Sequence, residues 1–363
     1  MSAIDELLEL PPFSEHSQDD HHFLEAIRES IQFHKDRCPA YSKWLDQIGF
    51  SFRNLAATED VPFFPSAVFK HLQLVSTAEN QKVLRSSGTT SQLTSQISID
   101  SVTSKRQTKV LAKILAYILG PSRRDFLILE REPTKGKSSS AMTARLAGMS
   151  GYLLAAKTRR YLLKGNEDSA TVDEASFRSA LRGLADTNRP PVLIGYTYMV
   201  YKQLIENPAF DIHLPEGTTL IHFGGWKRLE DKKIPKKRFN ELIAGKLGLN
   251  ENDIIDIYGF TEQLGSVYPS IGNSGMMVPN YSRVLVRDPS TMKILKSGEP
   301  GLIQFISPIP NSYPGLSLLN DDMAKLLVKE RQSTFHTRFV VTGRPPRAES
   351  RGCGDTLPES FYL

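Results

Sequence analysis

The sequence predicts an α/β fold, and three observations carry that expectation. Short, nearly uninterrupted apolar runs recur along the chain. Each passes into a loop of Gly, Ser, Thr or aromatic residues, and a helix often follows. After about residue 280 the texture changes to short strands separated by turn sequences.

Residues 1–60 read as a helical segment, with Phe23, Ile27, Ile31 and His34 at helical spacing. A break falls at Cys38-Pro39, because a residue before proline is pushed out of helical geometry. Residues 61–280 read as the α/β core. Four strand–loop units mark it: Val83-Leu84 into Ser86-Ser87-Gly88-Thr89-Thr90, Val192-Leu193-Ile194 into Gly195-Tyr196-Thr197, Leu220 to Phe223 into Gly224-Gly225-Trp226, and Ile254 to Ile257 into Tyr258-Gly259-Phe260-Thr261-Glu262. Parallel strands covered on both faces need such continuous apolar runs. Open α/β sheets bind ligands at the carboxyl ends of their strands, where these four loops fall. Residues 281–341 read as a small barrel or antiparallel meander, with strands at 283–287, 292–295 and 302–306. Residues 342–363 form a tail rich in Gly, Pro and Arg, and no internal repeat appears.

Composition excludes several classes. Hydrophobic residues make up 40% and charged residues 23% of the 363, as in folded globular chains rather than disordered ones. The excess of 45 basic over 40 acidic residues is small and spread out, which gives no electrostatic footprint for nucleic acid. The densest basic run, Lys232 to Arg238, reads as a solvated helix start or a docking patch. Two cysteines, Cys38 and Cys353, are too few for a disulfide scaffold and fit a reducing cytoplasm. The acidic start Met1 to Glu6 does not look like a signal peptide. The longest apolar stretch, Val110 to Leu119, is interrupted by Lys113 and falls short of the ~18 residues a transmembrane helix needs. It reads as a buried helix.

The loops carry the chemistry. Ser86, Ser87, Thr89 and Thr90 surround Gly88, and successive hydroxyls and N–H groups about a glycine suit the oxygens of a triphosphate. A surface hairpin loop is the other reading. No Gly-Lys-Ser/Thr follows, so this is not a Walker A loop. In Tyr258-Gly259-Phe260-Thr261-Glu262 an aromatic can stack on a purine, a hydroxyl can bond a phosphate and a carboxylate can hold Mg²⁺. Asp321-Asp322 suits ribose hydroxyls or, equally, a turn. His222, at the end of an apolar run, reads as a satisfied core histidine or, beside Gly224-Gly225, as pocket lining with Tyr196.

Taken in order, these segments and Thr342-Gly343-Arg344 resemble the adenylate-forming (acyl-CoA synthetase-like) superfamily. The resemblance implies that Ser86 to Thr90 hold the ATP phosphates and that Gly224, Gly225 and Trp226 lie against adenine. It further implies that Tyr258 and Gly259 face the adenine, Thr261 contacts the α-phosphate and Glu262 ligates magnesium. Asp322 would bind the ribose with Arg344 close by. Trp226 stands where the superfamily often has a small residue, and Asn320-Asp321-Asp322 stands where Thr-Gly-Asp is usual.

Within that superfamily the chain is most similar to LuxE-type acyl-protein synthetases, through Cys38-Pro39-Ala40-Tyr41 and Val61-Pro62-Phe63-Phe64-Pro65 to Phe69-Lys70. That likeness implies the superfamily's large domain without a C-terminal lid domain. It leaves Lys70, Lys135 and Lys227 as candidates to replace the lid's lysine. It also implies a long-chain carboxylic (fatty) acid as substrate, ATP and Mg²⁺ as cofactors, and Cys353 as the acyl carrier serving a reductase-type protein acceptor. An incidental tail thiol is the plain alternative for Cys353. For the whole chain the alternatives are an acyl- or aryl-CoA ligase with another acceptor, and a non-catalytic nucleotide-binding or scaffold subunit.

Overall fold

Ser2 starts the first helix: its hydroxyl accepts the Asp5 N–H at 3.1 Å, a standard N-cap that opens α1 (Ala3–Glu9). The computed structural model describes residues 1–13, 20–78, 82–85, 94–133, 148–165, 170–184, 189–208, 210, 212–328 and 337–344. Helix α2 (Asp20–Arg37) buries Phe23, Ile27, Ile31 and His34, the spacing read from the sequence. Pro39 then occupies the first turn of α3 (Pro39–Gln47), where its missing N–H costs nothing.

His34 anchors α2 to a distant loop. Its Nε2 lies 3.2 Å from the Pro310 carbonyl, which can only accept, so Nε2 carries the proton and Nδ1 accepts the Ser76 hydroxyl at 2.8 Å. Burial pushes the imidazole down to about 3, against the pull of the Pro310 hydrogen bond. The folded state therefore refuses a proton that the unfolded chain accepts near pH 6.5. Stability is complete above that value and declines as pH falls toward 3, at about 1.4 kcal/mol per unit. Urea unfolding at pH 7, 6 and 5 should show this slope, and His34→Gln, which keeps a donor and an acceptor, should flatten it. An unchanged slope would contradict the assignment.

Strand β1 (Phe64–Pro65) is followed by α4 (Val68–His71) and by a two-stranded antiparallel hairpin, β2 (Lys82–Arg85) with β3 (Gln96–Ile99). The expectation of a buried parallel strand at Val83-Leu84 is overturned here. Lys82 and Arg85 bracket only two apolar residues, and Val83 is 45% exposed. Helix α5 (Ser101–Leu119) buries Val110, Ile114, Leu115 and Leu119 and turns Tyr117 outward, so the stretch is one-sided rather than wholly buried.

The parallel part consists of β4 (Arg124–Arg131), β5 (Ala156–Lys164), β6 (Thr171–Val172), α6 (Glu174–Arg182), β7 (Val192–Tyr196), α7 (Thr197–Val200), β8 (Thr219–Phe223), α8 (Lys236–Leu247), β9 (Ile254–Tyr258) and β10 (Tyr268–Ile271). The sheet order is β10-β9-β8-β7-β4-β5-β6, parallel from β5 to β9 with an antiparallel strand at each edge. β7 and β8 are buried at every residue, as their apolar runs require. Gly195 is needed for close strand packing: a Cβ there would sit 2.9 Å from Leu129 Cβ. The basic run resolves into the start of α8, with Lys232, Lys233, Lys237 and Arg238 exposed.

The last strands are β11 (Met276–Met277), β12 (Arg283–Arg287), β13 (Gly301–Ile306), β14 (Ser317–Leu326) and β15 (Arg338–Gly343). They form a six-stranded sheet, β11-β15-β14-β13-β12, with β1 added parallel to β14. The strand expected at 292–295 is reduced to one bridge, Ile294 to Arg287. Asp288 gathers Ser290 and Thr291 into a tight turn, and Met292 has φ 57°, incompatible with a strand.

Two compact units result: residues 1–113, 259–267 and 277–363 make one, and residues 114–258 with 268–276 make the other. They cut across the sequence divisions at 60, 280 and 341, because long-range pairing such as β1 with β14 decides the grouping. Among the described residues no helix is long and apolar enough to cross a membrane.

Candidate active site

In the parallel unit, the chemistry-bearing residues lie at the carboxyl ends of β7, β8 and β9. Gly195 pairs with His222 and Tyr196 with Phe223, while His222 pairs in turn with Asp256. Side chains alternate along a strand, so Tyr196 and Phe223 share one face and His222 and Asp256 the other. Tyr196 and His222, assigned together to a substrate pocket, thus stand on opposite faces of the sheet.

The first face is aromatic. The Phe223 ring lies 4.6 Å from Tyr196 and 4.8 Å from Tyr152. Gly224 leaves β8 with φ 75°, the left-handed region that favours glycine, and a Cβ there would approach Tyr196 Cδ1 to 3.1 Å. Gly224 and Gly225 are exposed, whereas Trp226 turns inward against Tyr201 at 4.8 Å and Phe239 at 5.9 Å. Its indole contributes to the core, which accounts for a large residue after the two glycines.

The second face is polar and closed. His222 Nδ1 lies 3.0 Å from the Thr197 hydroxyl and 3.7 Å from Asp256, and Lys236 Nζ lies 3.1 Å from the other Asp256 oxygen. Burial pushes His222 down to about 4, against the pull of Asp256, so the ring is neutral at physiological pH. Burial alone would raise the Asp256 carboxyl, but Lys236 outweighs it and holds it below the usual carboxylate range. His222 Nε2 is buried with no hydrogen-bond partner among the described residues. This array escaped the sequence reading. Its one signal was Asp256 inside Ile254-Ile255-Asp256-Ile257, a charge that an apolar strand tolerates only with a partner. Tyr258, half-buried, ends β9.

In the other unit, Thr261 and Glu262 belong to a single 3₁₀ turn, Thr261–Gln263. Glu262 is 9% exposed. Burial raises its carboxyl above the ordinary value, and the negative Asp321 adds to this; the Ser95 hydroxyl and Lys70 pull the other way without prevailing. Lys70, one of the three candidate lysines, has a charge that acts on Glu262. Lys135 lies outside the described residues, as does the side chain of Lys227. On β14, Asp322 faces Arg344, with Arg344 Nε 3.1 Å from Asp322 Oδ1, so two residues 22 positions apart and selected separately are paired. Asp321, read with Asp322 as a candidate for ribose hydroxyls or a turn, is an aspartate whose charge acts on Glu262. Ser86, Ser87, Gly88, Thr89, Thr90 and Cys353 lie outside the described residues.

A family model described as acyl-protein synthetase, LuxE, matches residues 1–362. The long-chain-fatty-acid–luciferin-component ligase of Aliivibrio fischeri is 22% identical over 308 residues, 84% of this chain and 78% of that one. Its namesake from Vibrio harveyi is 21% identical over 349 residues, 92% of this chain and 87% of the relative. Among solved structures, a 2-hydroxyisobutyryl-CoA ligase in the postadenylation state with R3-HIB-AMP superposes with TM-score 0.61 at 16% identity, over 92% of this chain and 69% of its own. An open form of that ligase, with 2-HIB-AMP and CoA, gives the same TM-score and covers 92% of this chain and 76% of its own. At that identity the likeness establishes the fold, the α/β architecture of adenylate-forming ligases. With the family model matching almost the whole length, the chain belongs to the LuxE acyl-protein synthetase family.

Proposed function

We propose that the protein is a ligase that activates a long-chain carboxylic acid with ATP and then carries the acyl group on Cys353. A carboxylate oxygen of the acid attacks the α-phosphorus of ATP, the bond to pyrophosphate breaks, and acyl-AMP forms. The Cys353 thiolate then attacks the acyl carbon, AMP leaves, and a thioester results. The onward acceptor is a reductase-type protein that takes the acyl group from sulfur.

One observation carries this reading most directly: Glu262, a buried carboxylate fixed in the Tyr-Gly-Phe-Thr-Glu segment that follows a parallel strand. Among the described residues no group of three or more His, Cys, Asp or Glu could cage a metal. One hard oxygen ligand suits Mg²⁺, which retains water and takes its remaining ligands from substrate phosphates. When bound, the ion would neutralise charge on those phosphates. Within its own unit, beside Glu262, the Asp322–Arg344 pair offers hydrogen bonds for hydroxyl groups.

Incubation with ATP, Mg²⁺ and a panel of fatty acids, read by intact mass, tests the reading. An acyl-sized gain that hydroxylamine removes is expected, together with acid-dependent exchange of pyrophosphate into ATP. No exchange with any acid would overturn the enzyme assignment. Exchange without a protein-bound acyl group would leave activation standing and remove the carrier step.

A further inference from the structure

The turn that presents Glu262 cannot hold itself. It spans three residues, no side chain caps its start, and its own backbone bond, Gln263 N–H to Phe260 O, is long at 3.4 Å. A carboxylate in such a turn should swing toward water, since burial disfavours its charge. Yet Glu262 is 9% exposed, so something outside the turn holds it.

Part of that hold is direct, since the Ser95 hydroxyl hydrogen-bonds the carboxylate. The backbone of the turn is held by the segment 311–316. Tyr313 Oη donates to the Glu262 carbonyl at 2.9 Å. Gln263 Nε2 donates to the Gly315 carbonyl at 3.0 Å and lies 3.5 Å from that of Leu316. Gly315 is required for this approach: a Cβ there would fall 2.3 Å from Tyr313 Cε2 and 3.0 Å from the Glu262 oxygen. Tyr313 is wholly buried, and burial pushes its phenol up, so it stays protonated and remains a donor. The segment itself is rigidly tied. The N–H groups of Asn311 and Ser312 both donate to the Thr103 hydroxyl, at 3.0 and 2.9 Å. The Ser312 hydroxyl donates to Ser98 O at 2.6 Å, and Ser76 N–H donates to Ser312 O at 2.7 Å. The Phe69 ring meets Tyr313 edge-on at 5.5 Å.

We infer that Tyr313, Gln263 and Gly315 are positioning residues that set the Glu262 carboxylate for divalent-cation–dependent nucleotide binding. The inference rests on the proposed adenylation and adds to it a role for Gln263, which follows the Tyr-Gly-Phe-Thr-Glu segment, and for Tyr313 and Gly315, about 50 residues further on. The clamp bonds the Glu262 carbonyl and the Gln263 side chain rather than the carboxylate itself. It acts by limiting where Glu262 can go.

Tyr313→Phe removes one oxygen and keeps the ring, and Gln263→Met keeps the volume and removes the donor. Calorimetric titration of Mg²⁺–ATP into native protein and both variants, beside pyrophosphate exchange at varied Mg²⁺, tests the clamp. The Mg²⁺ concentration for half-maximal exchange should rise roughly five- to tenfold in each variant, the value of one buried hydrogen bond. The KM for the acid should stay unchanged. If the folded variants bind and use Mg²⁺–ATP as the native protein does, the clamp is refuted while adenylation stands. If native protein binds Mg²⁺–ATP without acid-dependent exchange, the adenylation reading fails, and the variants' Mg²⁺–ATP affinity still decides the clamp. If native protein binds no Mg²⁺–ATP, both fail.

Discussion

Glu262→Gln should abolish pyrophosphate exchange and, at the same time, raise the unfolding temperature. The two effects have one origin. Burial raises the Glu262 carboxyl above its ordinary value, with Asp321 adding repulsion that Ser95 and Lys70 do not cancel. A raised carboxyl is harder to ionise in the folded chain than in the unfolded one. At neutral pH the ionised side chain therefore costs stability, and the native fold strengthens as pH falls toward that raised value. Glutamine fills the same volume without charge and removes the penalty. It is also a far poorer Mg²⁺ ligand, so exchange should fall by about 100-fold or more, as when other preorganised charge-stabilising groups are removed. Native exchange should itself fail on the acid side at a pH above that of an ordinary glutamate. Thermal unfolding and exchange on the same preparations check the pairing. Lower stability in Glu262→Gln, or exchange within tenfold of native, would contradict it.

Cys353→Ser should eliminate the acyl-protein completely while leaving pyrophosphate exchange intact. Serine keeps the shape of the side chain but stays a neutral alcohol at pH 7, whereas a thiol is partly ionised and intrinsically nucleophilic. The chain's other thiol cannot substitute. Cys38 is 3% exposed, and burial pushes its thiol up, against hydrogen bonds from neighbouring backbone. Intact mass after incubation with acid, ATP and Mg²⁺ should thus show unmodified Cys353→Ser protein. A hydroxylamine-sensitive acyl group that persists would place the carrier elsewhere.

The parallel strands were legible because their register demands it: Val192 to Ile194, Leu220 to Phe223 and Ile254 to Ile257 are apolar on both faces but for His222 and Asp256, as strands covered on both sides require. Val83-Leu84 gave the same local signal over too short a run, and its neighbours Lys82 and Arg85 placed it in an exposed hairpin. Met292 to Leu295 alternates like a strand, but Asp288 captures the preceding turn. The turn chemistry won there. At the site, Glu262 stood out because its motif is contiguous. Tyr313, Gly315, Asp321 and Lys70 did not mark themselves as its neighbours, since roughly 50 to 200 residues of chain separate each of them from it and nothing local announces the approach. Asp322 and Arg344 were each legible alone; their mutual contact depended on the pairing of β14 with β15.

The chain passes between its two compact units at 113/114, 258/259, 267/268 and 276/277. Residues 259–267, Glu262 among them, leave and rejoin the parallel unit between β9 and β10, whose ends pair as Tyr258 with Tyr268. Gene truncation cannot therefore isolate either half: a fragment ending at 258 loses a sheet edge, and one starting at 277 loses the turn with the carboxylate. Domain-shuffling with relatives has to exchange these nine residues as a cassette with both flanking strands, or the recipient inherits a mismatched hairpin stem.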